Sequence, residues 1–185
     1  MKKMIFGAVM ALAFATSAMA GTYAGADIGI YKLTQKSAGV KVSDTAVGGG
    51  ILAGYALPDY DGANLNLELR LNTTGNFKYN VGVTPVQVRA NYAISYLAKP
   101  AFDLNEALGV DANVYGMLGM STVHLTSGAA KATKSGFSYG AGMAYNLDED
   151  SSVAVEYLSM IRNKSVSPVD TFSIESFNVL ATMNF

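Results

Sequence analysis

Residues 63 to 72 read ANLNLELRLN, and in this stretch Leu65, Leu67, Leu69 and Leu71 alternate without a break with Asn64, Asn66, Glu68, Arg70 and Asn72. A period of two is the spacing of a β-strand, whose successive side chains point to opposite faces; a helical stripe would recur every three to four residues. One face of this strand is therefore hydrocarbon, and the other carries amides and charges of both signs. Which face meets solvent depends on the rest of the chain.

The same alternation, punctuated by turn signals, recurs along the chain and marks eight candidate strands near 22–33, 46–57, 63–73, 84–97, 110–124, 136–147, 152–162 and 173–185. Their connections alternate in kind. PDYDG at 58–62 and DEDS at 148–151 are tight and acidic, and AKPAFDLNEALG at 98–109 is longer but still acidic. The other four, TQKSAGVKVSDT, TGNFKYNVGV, TSGAAKATKS and NKSVSPVDT, are mostly around ten residues and carry Lys36, Lys41, Lys78, Lys131, Lys134 and Lys164 against Asp44 and Asp170. An all-β, antiparallel, up-and-down barrel with turns at one end and loops at the other accounts for this pattern, and an even strand count brings both chain ends to the turn side.

Composition removes several alternatives. Of the 185 residues half are hydrophobic and 15% charged, and there is no Cys, which excludes a disulfide scaffold or a cysteine metal site. The start, MKKMIFGAVMALAFATSAMA, has a basic tip at Lys2 and Lys3, an apolar run too short to span a bilayer as a helix, and a small-x-small end at Ala18, Met19 and Ala20. Residues 1–20 are thus expected to be a cleavable signal peptide, leaving 21–185 as the barrel domain. Without Lys2 and Lys3 the 13 basic residues fall to 11 against 14 acidic ones, a formal net charge of −3 that suggests no nucleic-acid partner.

The faces then decide the solvent. Near 136–147, Phe137, Tyr139, Ala141, Met143, Tyr145 and Leu147 alternate with Ser138, Gly140, Gly142, Ala144 and Asn146; near 173–185, Phe177, Val179, Ala181, Met183 and Phe185 alternate with Asn178, Leu180, Thr182 and Asn184. Near 84–97 the bulky set is Val86, Val88, Ala90, Tyr92, Ile94 and Tyr96, against Gln87, Arg89, Asn91, Ala93 and Ser95. Eight strands enclose a narrow bore that suits the small and polar set, so the bulky set lies outside. A soluble monomer does not expose so large an apolar surface, whereas lipid accommodates it.

On these features, with the terminal strand SFNVLATMNF ending in Phe185, the chain resembles the small outer-membrane barrels of Gram-negative bacteria, the group of the OmpX-like proteins and the OmpA barrel domain. The resemblance implies residence in the cell outer membrane among lipid and lipopolysaccharide, loops outside the cell and turns in the periplasm. It also implies that Phe185 serves as an assembly signal read by the barrel assembly machinery. With the chain stopping at Phe185, no peptidoglycan-binding domain is expected, and a monomer without cofactor or metal is expected.

On the inward face the acids are Asp27, Glu68 and Glu156 and the bases Arg70 and Arg89. The three acids each lie six residues in from Gly21, Gly62 and Asp150 at the turn side, and a hairpin centred between Lys78 and Tyr79 sets Glu68 opposite Arg89. Unpaired charges in so narrow a tube would each cost several kcal/mol, so a lumenal salt-bridge network is expected, chiefly as an interior plug. The role expected is structural or surface interaction, in membrane integrity or adhesion, and two rival functions stay open. A small-solute channel would need a wider bore. A lipid A modifying enzyme of the deacylase type would use His124, the one histidine, with Ser121, Thr126 or Ser127, but no acid shares its face. The six loop lysines can meet lipopolysaccharide phosphates or an extracellular ligand, and Tyr55, Tyr96, Tyr145 and Phe185 below, with Phe77, Tyr79 and Phe137 above, read as interfacial girdles.

Overall fold

A computed structural model describes residues 21–37, 40–57, 63–81, 84–105, 109–167 and 170–185. The expected signal peptide, residues 1–20, lies outside them, as do Asp59, Asp61 and Glu106 of the acidic turns. Among the described residues nine strand segments follow one another: β1 (Thr22–Ser37), β2 (Val40–Ala56), β3 (Ala63–Thr74), β4 (Asn76–Val81), β5 (Thr84–Asp103), β6 (Ala112–Ser127), β7 (Ala130–Asn146), β8 (Ser151–Ser167) and β9 (Asp170–Asn184). Apart from β3 and β4, which follow each other along one edge of β5, each segment pairs antiparallel with its neighbours in sequence, β1 pairs β9, and β3 pairs β5, which closes the ring. Since β3 and β4 are one strand interrupted at Gly75, the barrel has eight strands, as the alternation and turn count indicate.

Large apolar side chains cover the outside: Ile28, Leu67, Leu118, Met143, Tyr145 and Phe177 are all exposed. The inside holds Asp27, Glu68, Arg70, Ser95, Ser121, Ser138, Glu156 and Asn178, all buried. Such an inverted arrangement is stable only where hydrocarbon bathes the exterior.

The strands, however, outrun the bilayer. About 9–11 tilted residues cross it, yet β2, β7 and β8 have 17 each and β5 has 20. The four lysine-bearing segments expected to be loops are mostly strand, with ladders reaching Ser37↔Val40, Val81↔Thr84, Ser127↔Ala130 and Ser167↔Asp170. At the third tip Gly128 adopts φ +56, a left-handed value that glycine meets without steric cost.

Beyond the bilayer the polarity reverts to that of a soluble protein. A bulge between Ala90 and Tyr92 on β5 and the interruption at Gly75 beside it shift the alternation of both strands by one residue. Ala93, Ser95 and Leu97 face inward below the bulge, while Val88 and Ala90 are buried above it and Gln87, Arg89 and Asn91 are exposed. The sequence-based placement of Val86, Val88 and Ala90 outside is therefore corrected, as is that of Arg89 inside. Phe77 is fully buried and Tyr79 packs against the interior cluster, so these two do not join an exterior girdle; Tyr96, Phe137, Tyr145 and Phe185 are exposed. A Cβ at Gly75 would lie 3.1 Å from the Val47 carbonyl oxygen, the acceptor of the Gly75 N–H at 2.7 Å, so a side chain at the break would be a tight fit.

The upper barrel also divides. The ladder of β2 to β3 ends at Gly48↔Thr74, and that of β7 to β8 ends at Tyr139↔Ser159. Above these levels the wall is two four-stranded sheets, β2-β1-β9-β8 and β4-β5-β6-β7, facing each other across an apolar interior that includes Tyr31, Leu33, Phe77, Val123, Ile161 and Ile174. One seam is bridged by the Lys78 N–H, which donates to Asp44 Oδ2 at 2.5 Å; at the foot of the other, Arg162 Nη1 donates to the Tyr139 hydroxyl at 2.5 Å.

Candidate functional site

The lumen is organised around Arg70. Its Nε donates to Glu68, and its Nη1 and Nη2 reach Glu156 Oε2 and Oε1 at 2.5 and 2.8 Å, a bidentate pair across the bore. Lys99 Nζ completes a balanced quartet, 3.0 Å from Glu68 Oε2 and 3.3 Å from Glu156 Oε1, and sits 4.2 Å from the centroid of the Tyr115 ring. Asp27 is held by hydrogen bonds, from Tyr31 at 3.2 Å and from Asn72 Nδ2 at 2.8 and 2.9 Å.

Each lumenal acid also receives a tyrosine hydroxyl: Tyr31 on Asp27, Tyr23 on Glu68 at 3.0 Å and Tyr115 on Glu156 at 2.7 Å. Rings of this size fit because each lies on a glycine. Gly54 is directly opposite Tyr23 and Gly142 directly opposite Tyr115; a Cβ at Gly54 would overlap the Tyr23 ring, and one at Gly142 would come to 2.7 Å of Tyr115. Gly48 makes the same room for Tyr31, at 2.8 Å. Small lumenal residues thus serve to seat the large ones.

Of the residues expected in a lumenal network, the structure brings together Glu68, Arg70 and Glu156, with Asp27 beside them, and leaves Arg89 out. The true register sets Glu68 opposite Leu97 and Arg89 opposite Asn76, because the hairpin turns between Val81 and Thr84, four residues later than expected. The bulge then faces Arg89 outward, where its Nε donates to the Thr74 carbonyl at 3.1 Å. Lys99 was legible from parity with Ser95 and Leu97, but Pro100 beside it reads as the end of a strand. Instead β5 continues, and its ladder to β6 is interrupted at Lys99 and Pro100, where the proline has no N–H to donate, before resuming in the same register at Ala101.

Two cavities enter the bore from opposite ends and share no lining residue. The turn-side one, about 250 Å³, is ringed by Asn64, Asn66, Asn113, Asn146 and Asn184 and ends on Lys99, Tyr23 and Tyr115. The loop-side one, about 270 Å³, lies between Leu33, Val88 and Phe172. Between them, Arg70, Leu52, Met117 and Leu158 are buried.

The loop lysines crown the loop-side mouth, with at least one on each of the four hairpins: Lys36 and Lys41, Lys78, Lys131 and Lys134, and Lys164. All are exposed except the half-buried Lys134. Lys36 and Lys41 stand directly opposite each other across β1 and β2. Among the described residues, ion pairs within 4 Å are made only by Arg70 and Lys99 in the lumen. Lys32, Arg89 and Arg162 add exposed cations at this end that the loop boundaries drawn from sequence left out.

The residues weighed for catalysis do not converge. His124 stacks on Tyr92 with ring centroids 5.0 Å apart, and its Nδ1 lies 2.8 Å from the Thr133 hydroxyl. Ser121 is on the opposite face, buried and bonded to Ser95 at 2.6 Å and Ser138 at 2.7 Å, and Thr126 accepts from Asn91 at 2.6 Å.

Residues 4–185 match the family model of the outer membrane protein beta-barrel domain. Among solved structures the fold is similar to Ail, the attachment invasion locus protein of Yersinia pestis, in complex with the heparin analogue sucrose octasulfate (TM-score 0.55, 18% identity, 90% of this chain and 100% of that one). It is also similar to Neisserial surface protein A (TM-score 0.59, 16% identity, 90% and 98%) and to the N-terminal barrel domain of Pseudomonas aeruginosa OprF (TM-score 0.50, 15% identity, 86% and 97%). No curated protein matches the sequence.

Proposed function

The chain belongs to the outer membrane protein beta-barrel domain family, and from that premise we propose that it is a non-conducting surface protein that engages phosphate- or sulfate-bearing saccharides with its crown of lysines. The observation that carries this reading is Lys36 facing Lys41 on the first hairpin. Like charges directly opposite on a ladder are destabilising, and a dianionic or polyanionic group between them turns that repulsion into attraction. Lysines on the other three hairpins extend the same field around the mouth, where a charged rim raises the local concentration of anions. The sulfated ligand of Ail is compatible with such a rim on a barrel of this fold.

In its own membrane the nearest such groups are the phosphates of lipopolysaccharide; beyond it they are glycans of another surface. In the same reading residues 1–20 are removed on export, Phe185 is recognised by the barrel assembly machinery, and the protein works as a monomer. The lumenal charges serve to plug the bore and fix register, and His124 packs at the rim without a catalytic part.

Binding of the protein in lipid nanodiscs to immobilised heparin and to lipopolysaccharide tests this. Retention that falls as salt rises, and falls again in Lys36→Gln/Lys41→Gln, is expected; equal retention of the variant would overturn the lysine crown as the binding surface.

A further inference from the structure

Where the upper wall divides into two sheets, the space between them is not closed off. The cavity of about 270 Å³ is walled by Leu33 and Phe172 from one sheet and by Val86, Val88, Leu125 and Ala132 from the other. The Tyr79 hydroxyl donates to Gln35 Oε1 at 2.6 Å across the cleft, so each of the two polar side chains within it already has one partner. At the rim stand Thr126, Ser127 and Lys131, and no carboxylate lines the cleft among the described residues.

We propose that this cleft binds a small monoanionic amphiphile, a carboxylate on a short apolar body, with the body between the sheets and the head at Lys131. Protein interiors leave few voids larger than a water molecule, and a concave apolar site with a few convergent polar groups is the usual form of a ligand pocket. The volume is just under the ~300 Å³ at which sites for drug-sized ligands begin, so the body is one short chain or one ring. Saccharides gain little from these walls, because Tyr79 and Gln35 bond each other and the walls below the rim are otherwise hydrocarbon. The charge of the head follows from Lys131, exposed and without an ion pair among the described residues. This site is inside the mouth and does not rest on the saccharide reading: filling the cleft leaves Lys36 and Lys41 untouched.

The test is methyl-resolved NMR of the full barrel in nanodiscs, titrated with sodium octanoate and, separately, with 1-octanol. Saturable shifts at Leu33, Val86, Val88 and Leu125 are expected, while Leu65, Leu67 and Leu69 on the lipid face drift without saturating, as partition into lipid requires. Lys131→Gln should weaken octanoate about three- to fivefold, the size of an exposed ion pair, and leave octanol unchanged. Ala132→Phe and, independently, Val86→Phe should abolish the saturable shifts with both probes. Shifts that never saturate at the cleft, or that persist in both filled variants, would overturn the site. Equal loss of octanoate and octanol in Lys131→Gln would overturn its anionic selectivity.

Discussion

Arg70 holds Glu156 by two parallel nitrogen–oxygen contacts, 2.5 and 2.8 Å, between residues 86 positions apart in sequence. The pair ties β3 to β8 across the bore and, through Glu68 and Lys99, to β5. Removing one partner of such a buried pair leaves the others uncompensated in a medium that hydrates them poorly, whereas replacing the whole set with well-packed apolar groups need not be costly.

Arg70→Ala is accordingly expected to destabilise the barrel by about 3–5 kcal/mol in urea unfolding from lipid vesicles. The combined change Arg70→Met, Glu68→Leu, Glu156→Leu and Lys99→Met should cost less than Arg70→Ala alone. The reverse order would show that the charges are not acting as a mutually dependent set.

Tyr23 and Gly54 form a steric pair. Gly54→Ala should cost about 1–3 kcal/mol by overpacking, and the loss should shrink when Tyr23→Ala is made in the same chain, giving a coupling energy well above the scatter of additive sites. Simple addition of the two losses would mean that Gly54 is not there to seat the ring.

The bulge at Ala90/Tyr92 makes a prediction about exposure. The chain has no cysteine, so Arg89→Cys and Val88→Cys can each be probed on intact cells with a membrane-impermeant maleimide. Residue 89 should label readily and residue 88 slowly. Labelling of 88 in preference to 89 would restore the unbroken alternation.

The turn after β7 carries a pH-sensitive contact. Hydrogen bonds from the Ser151 side chain and the Asp150 backbone hold the Asp148 carboxyl below its usual range. A depressed carboxylate contributes stability that is present above its unfolded value and is lost as pH falls through its folded one. Ser151→Ala should move the Asp148 carboxyl resonance titration upward toward an ordinary aspartate, and an unchanged titration would remove Ser151 as the cause.

The barrel, its strand number and its inversion were legible because the bilayer imposes an uninterrupted period of two. In ANLNLELRLN each leucine faces out and Glu68, Arg70 and Asn72 face in, and the exterior is exposed at Leu65, Leu67 and Leu69. What could not be read lies where that constraint ends. Above the bilayer water bathes the exterior, the apolar side chains Phe77 and Val88 move inside, and a one-residue bulge is enough to exchange the faces. Lysines and threonines that looked like loop are solvent-facing strand there, as in Lys131, Thr133 and Ser135 on β7. Alternation gives the face of a residue but not its partner across the bore, which depends on closure of the ring. Arg70 meeting Glu156, and the three tyrosines meeting the three acids, are therefore tertiary facts.

Planar-bilayer conductance of the purified, lipid-reconstituted protein is the most direct test of a plugged bore with function confined to the surface. Between the two cavities lie Arg70, Leu52, Met117 and Leu158, all buried and lining neither. No unitary current steps above the protein-free bilayer are expected at neutral pH; reproducible, steady steps from the unmodified chain would contradict the account.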